Sequence, residues 1–184
     1  MKVIVEGYNP QWALQYQELR GELEEILKGV QYISIEHVGS TSVPELAAKP
    51  IIDLSVVSEA EDVPAAIEAL TVTGCYTYMG EMGIPHRHAF RKPGILPARN
   101  LYVSVNGCQS IRNHIGVRDI CRKDPEVREA YGRAKLELSN RDWESVDEYC
   151  EAKNDILTWV LEKAGVSSEE REQVKQLNTV ATVA

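Results

Sequence analysis

Residues 37–57 contain the feature that most restricts the fold of this chain: a turn of small residues between two strand-like segments. Residues 33–36 alternate between isoleucine and polar side chains, which is typical of a half-buried strand. Residues 51–57 are mostly β-branched and apolar, and Asp53 is the only charge among them. This pattern predicts a central strand with one carboxylate inside it. The small residues Gly39-Ser40-Thr41-Ser42 lie between the two strands.

Two interpretations of this block remain open from the pattern alone. In the first, the glycine lets the backbone approach a phosphate closely, and the N–H groups of the turn, with the hydroxyls of Ser40, Thr41 and Ser42, donate to phosphate oxygens. The carboxylate of Asp53 then has a divalent cation as the partner that a buried charge requires. In the second, the segment is only a tight turn, and Asp53 forms a salt bridge with Lys49 or an arginine.

The remaining segments predict a mixed sheet followed by helices. Capping residues and helical periodicity predict helices at about residues 10–28, 62–73 and 111–122, from 124 onward, and at 145–165. Strands are predicted at about residues 75–79, 86–92 and 101–105. The fold class is therefore α/β (or α+β), with a mixed β-sheet flanked by helices and a helical C-terminal part. We expect residues 1–165 to form a single domain and residues 166–184 to form a peripheral helix and tail.

Composition argues against two classes of partner. Twenty lysines and arginines against 28 aspartates and glutamates give a net charge of −8, which repels nucleic acids and anionic membranes. No run approaches the roughly 20 apolar residues that cross a bilayer. The N-terminal residues lack a signal-peptide pattern, and the four cysteines form no C-x-x-C pair. We therefore expect a cytoplasmic protein.

Two motifs in the central block resemble the signature of the GrpB-like family. They are residues 39–44, with the sequence Gly-Ser-Thr-Ser-Val-Pro, and residues 48–53, with the sequence Ala-Lys-Pro-Ile-Ile-Asp. Further resemblances follow in order along the chain: Gly83-Ile84-Pro85 with Arg87, Phe90-Arg91, Val117-Arg118-Asp119 with Arg122, Asp124-Pro125-Glu126, Tyr131 with Lys135, and Tyr149 with Ala152-Lys153. The resemblance extends from about residue 6 to residue 164.

The resemblance implies a nucleotidyltransferase-like fold, as in the DNA polymerase beta superfamily, and the use of Mg²⁺ and ATP or another nucleoside triphosphate. In that superfamily a Gly-Ser pair holds the nucleotide phosphates, and two carboxylates on the next strand bind metal. The catalytic residues it implies here are Asp53 and Lys49. The nucleotide-binding residues it implies are Gly39, Ser40, Thr41, Ser42, Arg87, Arg91 and Arg118. The metal ligands it implies are Asp53, Ser55 and Glu81.

One position departs from the superfamily pattern. Residue 55 shares a strand face with Asp53, but it is a serine where the superfamily has a second carboxylate. Three outcomes remain open: Glu81 or Glu36 supplies another ligand, substrate phosphates complete the shell of a single Mg²⁺, or activity is lost.

We expect nucleotidyl transfer to a small-molecule acceptor. The acceptor is either a hydroxyl or a carboxylate that is activated as an adenylate and then captured by an amine, as in an ATP-dependent ligase. The alternative is a non-catalytic nucleotide- or ligand-binding module or a chaperone-like domain.

Overall fold

A computed structural model of the protein describes residues 2–92, 94 and 96–180. Its helices are α1 (Gln11–Ile26), α2 (Val63–Val72), α3 (Gln109–Lys123), α4 (Pro125–Ser139), α5 (Val146–Ala152), α6 (Asn154–Lys163) and α7 (Ser168–Val180). Its strands are β1 (Ser34–Val38), β2 (Ile52–Ser58), β3 (Thr77–Tyr78), β4 (Arg87–Arg91) and β5 (Arg99–Val105). A single 3₁₀ turn, Ser40–Ser42, follows β1. The predicted class, a mixed sheet flanked by helices with a helical C-terminal part, is confirmed.

The five strands form one sheet in the order β1-β2-β5-β4-β3. Strands β2 and β5 are parallel, and the other neighbouring pairs are antiparallel. The register places Val38 of β1 and Asn100 of β5 on either side of Asp53. The residues that flank Asp53 are therefore decided by strand pairing.

Alternation along β2 separates the two faces of the sheet. Leu54 and Val56 lie in the main apolar core with α1 and α2. Val57 points to the other face, where it packs with Val38 and with Ile111 of α3. Because side chains two residues apart share a face, Asp53 lies on the side covered by the C-terminal helices.

The C-terminal helices depart from prediction at one place. The sequence predicted one helix over residues 145–165, but the structure has α5 and α6, and Lys153 separates them. The N–H of Lys153 donates to the carbonyl of Cys150 in a three-residue turn, which tightens the end of α5. This break lets the side chain of Lys153 line the cavity described below.

Helix α7 packs against α5 and α6. Residues 181–184, the end of the tail expected from the sequence, lie outside the described residues. The division into one domain and a peripheral segment stays a prediction. No helix in the described part of the chain has the length and apolarity that crossing a bilayer requires.

Candidate functional site

The turn after β1 packs directly on the carboxylate of Asp53. Gly39 has φ 68° and ψ −179°, a backbone conformation that is open to glycine alone. A Cβ on Gly39 would overlap Oδ2 of Asp53 and would lie 2.8 Å from its Cγ. Glycine is therefore required at this position for two independent reasons, the backbone angle and the close approach.

The second oxygen of Asp53 is held from the neighbouring strand. The side-chain amide of Asn100 donates to Oδ1 of Asp53 over 2.7 Å. Burial raises the pKa of Asp53 to about 6, against the opposing effects of the Asn100 hydrogen bond and of nearby Lys153, Lys49 and Arg87. The carboxyl group is thus mostly ionised at pH 7 but is protonated by mild acid.

Asp53 lines a cavity of about 460 Å³. The cavity lies between the sheet, the turn and the C-terminal helices. Its walls are formed by Ser40, Thr41, Lys49, Ile51, Asp53, Asn100, Tyr131, Lys135, Tyr149, Cys150 and Lys153. Three of these residues are lysines and Asp53 is the one carboxylate, so the lining has an excess of positive charge at neutral pH.

Lys135 links the turn to α4. Its side chain is 3% exposed, and its Nζ donates to Oγ of Ser40 over 2.7 Å. The same Nζ lies 4.2 Å from the ring centroid of Tyr131, one turn earlier on α4. Burial, reinforced by the positive charge of Lys153, lowers the pKa of Lys135 to about 7. A small change in its surroundings is therefore enough to change its charge near neutral pH.

The other two lysines share one aromatic ring. The ring centroid of Tyr149 lies 4.7 Å from Nζ of Lys153 and 5.8 Å from Nζ of Lys49. Tyr149 is 1% exposed, so the ring is a fixed surface for both ammonium groups. Burial also raises the pKa of Tyr149 to about 12, which keeps the phenol neutral.

The predicted hydroxyls of the turn have different roles. Ser40 faces the cavity. Thr41 also lines it, but its hydroxyl donates to the carbonyl of Ile51 and contacts Nε2 of His37. Ser42 is 5% exposed, and its hydroxyl donates to the carbonyl of Gly39. The hydroxyls of Thr41 and Ser42 therefore stabilise the turn itself. The hydroxyl of Ser40 is held by Lys135 at the cavity wall, where a ligand can contact both groups.

The structure does not bring the three predicted arginines into the cavity wall. Arg118 of α3 forms an ion pair with Glu36 over 2.7 Å and also donates to the carbonyl of His37, so it anchors the end of β1. Arg91 is exposed near the end of β4. Arg87 stacks on the ring of Tyr102, 4.6 Å from its centroid, and lines a different cavity. Nucleotide contacts by these residues stay a prediction from the family resemblance.

Two of the three predicted metal ligands have other hydrogen-bond partners in the structure, and their metal role stays a prediction. Ser55 is fully buried, and its hydroxyl is paired with that of Ser104 over 2.8 Å. Glu81 accepts from the N–H of His86, which lies beside the end of β5 at Val105. Asp53 pairs with Asn100, which is five residues before Val105 on β5. The two ends are therefore separated by about 17 Å along the strand. Sequence reasoning had no register with which to separate Glu81 from Asp53.

The alternative ligand, Glu36, is held by Arg118 as described above. Among the described residues, no group of three or more His, Cys, Asp or Glu side chains could hold a metal ion. A metal at Asp53 would therefore depend on neutral oxygens, a substrate or water for its other ligands.

Seven cavity residues were not predicted as site residues: Ile51, Asn100, Tyr131, Lys135, Tyr149, Cys150 and Lys153. The resemblance to the GrpB-like family already includes Tyr131 with Lys135 and Tyr149 with Lys153, so a usable signal existed for these four. Asn100 carries no such signal, because only the pairing of β5 with β2 places it beside Asp53.

Comparison with known proteins agrees with this architecture. The profile of the family described as GrpB protein matches residues 2–163, and the chain belongs to this family. The chain is 33% identical to the UPF0157 protein YqkA of Bacillus subtilis over 164 residues, which are 89% of this chain and 47% of YqkA. The chain thus spans about half the length of that relative.

Solved structures extend the comparison to the fold. The crystal structure of the conserved protein GrpB from Enterococcus faecalis is 33% identical, with a TM-score of 0.76 over 88% of this chain and 96% of that chain. The structure of the GLD-2/RNP-8 complex shares 13% identity, with a TM-score of 0.56 over 84% of this chain and 60% of that chain. At that identity the likeness concerns the fold alone, which is nucleotidyltransferase-like.

Proposed function

We propose that the chain binds a nucleoside triphosphate with Mg²⁺ in the Asp53 cavity and transfers its nucleotidyl group to a small-molecule acceptor. One observation carries the proposal: a glycine turn packs on the carboxylate of Asp53 at the wall of a cavity that three lysines line. The nucleotidyltransferase-like fold supports the same reaction class.

The charge balance of the cavity favours a phosphate ligand. Lys49, Lys135 and Lys153 bring up to three positive charges, against the one negative charge of Asp53. Burying unmatched charge is costly, and a triphosphate supplies the missing negative charge together with many hydrogen-bond acceptors. Ser40 and the N–H groups of its turn then face the phosphates, as in other anion sites that are built from backbone turns.

The residues present fit one Mg²⁺ that enters with the nucleotide. Mg²⁺ in such sites is commonly bound by one or two carboxylates, substrate phosphates and water. Asp53 is the protein group that would hold it, and the ion, when bound, neutralises charge on the phosphates. Ser55 and Glu81 do not take part in this proposal, because both are held elsewhere.

The transfer is an in-line displacement. An oxygen of the acceptor forms a bond to the α-phosphorus, and the bond from that phosphorus to the pyrophosphate oxygen breaks. Lys49, Lys135 and Lys153 hold the charge that accumulates on the departing pyrophosphate. A hydroxyl acceptor loses its proton to water and gives a nucleotidylated product. A carboxylate acceptor gives an acyl-adenylate instead; an amine then attacks its acyl carbon, displaces the nucleoside monophosphate and loses a proton to water, which leaves an amide.

The proposed acceptor is a small molecule rather than a nucleic acid, because the net charge of −8 opposes binding of a polyanion. The same proposal places the chain in the cytoplasm, where nucleoside triphosphates are available. Release of pyrophosphate from ATP, measured with separate panels of hydroxyl and carboxylate acceptors and with a short RNA, tests the reaction and its acceptor class.

A second candidate function is a nucleotide-binding module without turnover. The observation that favours it is the serine at position 55. With this serine, the strand carries one metal-binding carboxylate, Asp53, instead of the two that the superfamily pattern has. Mg²⁺-dependent binding of ATP without pyrophosphate release in any acceptor panel would identify this module. Pyrophosphate release that requires Asp53 would identify the enzyme.

A further inference from the structure

A second cavity shares no lining residue with the Asp53 cavity, and the proposed reaction does not use it. It has a volume of about 150 Å³ and lies between β4, α3, α6 and α7. Six apolar side chains form most of its wall: Ile84, Val117, Leu157, Leu161, Val174 and Leu177. Val174 and Leu177 belong to α7, beyond the residues that the family profile matches.

Arg87 brings a positive charge into this apolar wall. Its guanidinium lies over the ring of Tyr102, and its buried Nε has no hydrogen-bond partner in the described part of the chain. No carboxylate of residues 2–92, 94 and 96–180 forms an ion pair with it. Asp53 attracts this guanidinium without direct contact, so its N–H groups lack a partner carboxylate. Burying such donors beside apolar walls is costly unless a ligand pairs with them.

The other polar groups of this cavity are neutral. Gln109, Ser110, Asn113 and His114 of α3 line it with Arg87. Burial, with a smaller contribution from the charge of Arg87, lowers the pKa of His114 to about 4, so its imidazole is uncharged at pH 7. A single positive charge among neutral donors and acceptors matches a ligand with a single negative charge.

We propose that this second cavity binds a small organic monocarboxylate whose apolar body is about the size of a benzene ring. The carboxylate lies on the guanidinium of Arg87, which presents paired N–H donors in the geometry that a carboxylate accepts. The apolar body lies among the side chains of α6 and α7. The size follows from the volume, since an apolar protein cavity of about 150 Å³ accommodates benzene.

Helix α7 forms one wall of this cavity and is joined to α3 by polar contacts. The side-chain amide of Gln109 donates to the carbonyl of Glu170 and to Oε1 of Gln173. Arg112 forms an ion pair with Glu170. These contacts hold the first half of α7 on α3, so Val174 and Leu177 are fixed over the cavity rather than loosely placed.

The test is titration of the full chain with benzoate, followed by calorimetry, with benzyl alcohol as the uncharged probe of the same size. We expect a dissociation constant for benzoate on the order of 1 mM or lower, as its few heavy atoms allow. Benzyl alcohol should bind at least about tenfold more weakly, because it cannot pair with Arg87. Equal affinity for both probes, or no saturable binding of benzoate, would overturn the proposal.

Variants locate the binding. Arg87→Met keeps an apolar stem and should reduce benzoate affinity at least about tenfold while leaving benzyl alcohol affinity unchanged. Val174→Trp fills the cavity from α7 and should abolish binding of both probes, without altering Arg87. The exposed Arg133→Met on α4 is the matched control and should bind benzoate as the wild type does.

Two further variants separate this site from the lysine-lined cavity. Lys135→Met should leave benzoate affinity unchanged. If Lys135→Met loses benzoate affinity and Val174→Trp keeps it, benzoate binds in the Asp53 cavity and the proposal is refuted. If Arg87→Met does not fold, Arg87→Lys keeps the charge without the paired donors and should give an intermediate affinity. Failure of nucleotide binding in the Asp53 cavity would leave all these results intact.

Discussion

Gly39, directly after β1, packs against the carboxylate of Asp53 on the neighbouring strand β2. A Cβ atom on residue 39 would overlap Oδ2 of Asp53. The pair joins the two halves of the central block, the turn after β1 and the carboxylate of β2. Because Val38 and Asp53 are register partners, the contact is a consequence of β1–β2 pairing. The proposed site is therefore part of the sheet itself.

This contact predicts that Gly39→Ala is costly. The methyl group is unfavourable in the backbone conformation at φ 68° and ψ −179°, and it displaces Asp53. We expect a loss of about 2 kcal/mol or more in the free energy of unfolding, together with loss of nucleotide affinity. Urea denaturation and ATP titration measure the two effects.

Gly107→Ala is the control for the stability cost of placing an alanine at a positive φ angle. Gly107 has φ 70°, but apart from its chain neighbours no described residue has a heavy atom within 4 Å of the position of its Cβ. It should lose stability without losing ATP affinity. If both glycine variants keep the ATP affinity of the wild type, the assignment of the turn to phosphate binding is wrong.

Asp53→Asn should make the protein more stable at neutral pH. The folded-state pKa of about 6 lies above the ordinary value of 3.8, so ionisation of Asp53 destabilises the folded state on the order of 3 kcal/mol at pH 7. The stabilising effect of protonation is fully present below pH 3.8 and is lost as the pH rises through 6. The excess melting temperature of the variant should therefore shrink as the pH falls from 7 to 4.

Thermal melts of the wild type and of Asp53→Asn at several pH values measure this difference. A lower melting temperature of Asp53→Asn at pH 7 would instead show that Asp53 belongs to a structural ion pair, since removing one partner of such a pair leaves the other charge unmatched.

Lys135 should take up a proton when ATP binds. Its pKa of about 7 leaves it mostly neutral at pH 8, and the negative charge of a triphosphate beside Nζ raises that pKa. Calorimetry at pH 8 in two buffers of different ionisation enthalpy measures the uptake. Lys135→Met should abolish it and weaken ATP binding, whereas the exposed Lys123→Met should change neither.

The stability of Lys135→Met provides a separate check on the lowered pKa. The wild type should gain stability between pH 7 and about 10, because the unfolded chain holds the lysine proton over that range and the folded chain does not. The variant should lack this rise. A wild-type stability curve that is flat over this range would contradict a buried, mostly neutral Lys135.

Ser55→Ala separates the structural role of Ser55 from the metal role that the family resemblance implies. Its hydroxyl pairs with Ser104 in a fully buried position, so we expect a loss of about 1 kcal/mol in stability with no change in the Mg²⁺ dependence of ATP binding. The double variant Ser55→Ala/Ser104→Ala should be more stable than the two single losses added together. A changed Mg²⁺ requirement in Ser55→Ala would restore Ser55 as a ligand.

Local sequence patterns were sufficient for the individual strands and for the segments that form one wall of the cavity. The turn from Gly39, the strand with Asp53 and the neighbouring Lys49 lie within 15 residues of one another, and strand alternation and small residues mark them directly. The fold class followed from the same patterns. The break at Lys153 did not, because the apolar spacing of α5 and α6 also fits one continuous helix.

The opposite wall depends on contacts between distant segments. Lys135 meets Ser40 across 95 residues, and Asn100 meets Asp53 across 47 residues. Neither contact follows from periodicity, since each depends on how the helices pack on the sheet or on strand register. The position of Glu81 depends on register in the same way: the sequence shows a carboxylate of a suitable type but not at which end of the sheet it lies.

The most direct test of the account is ATP binding to the wild type and to Asp53→Asn, measured by calorimetry with and without Mg²⁺. The account predicts that the wild type binds ATP more tightly with Mg²⁺ and that Asp53→Asn loses at least about tenfold of that affinity, or about 1.4 kcal/mol. The exposed Asp147→Asn on α5 should match the wild type. A folded Asp53→Asn protein with the ATP affinity and Mg²⁺ response of the wild type would contradict the account.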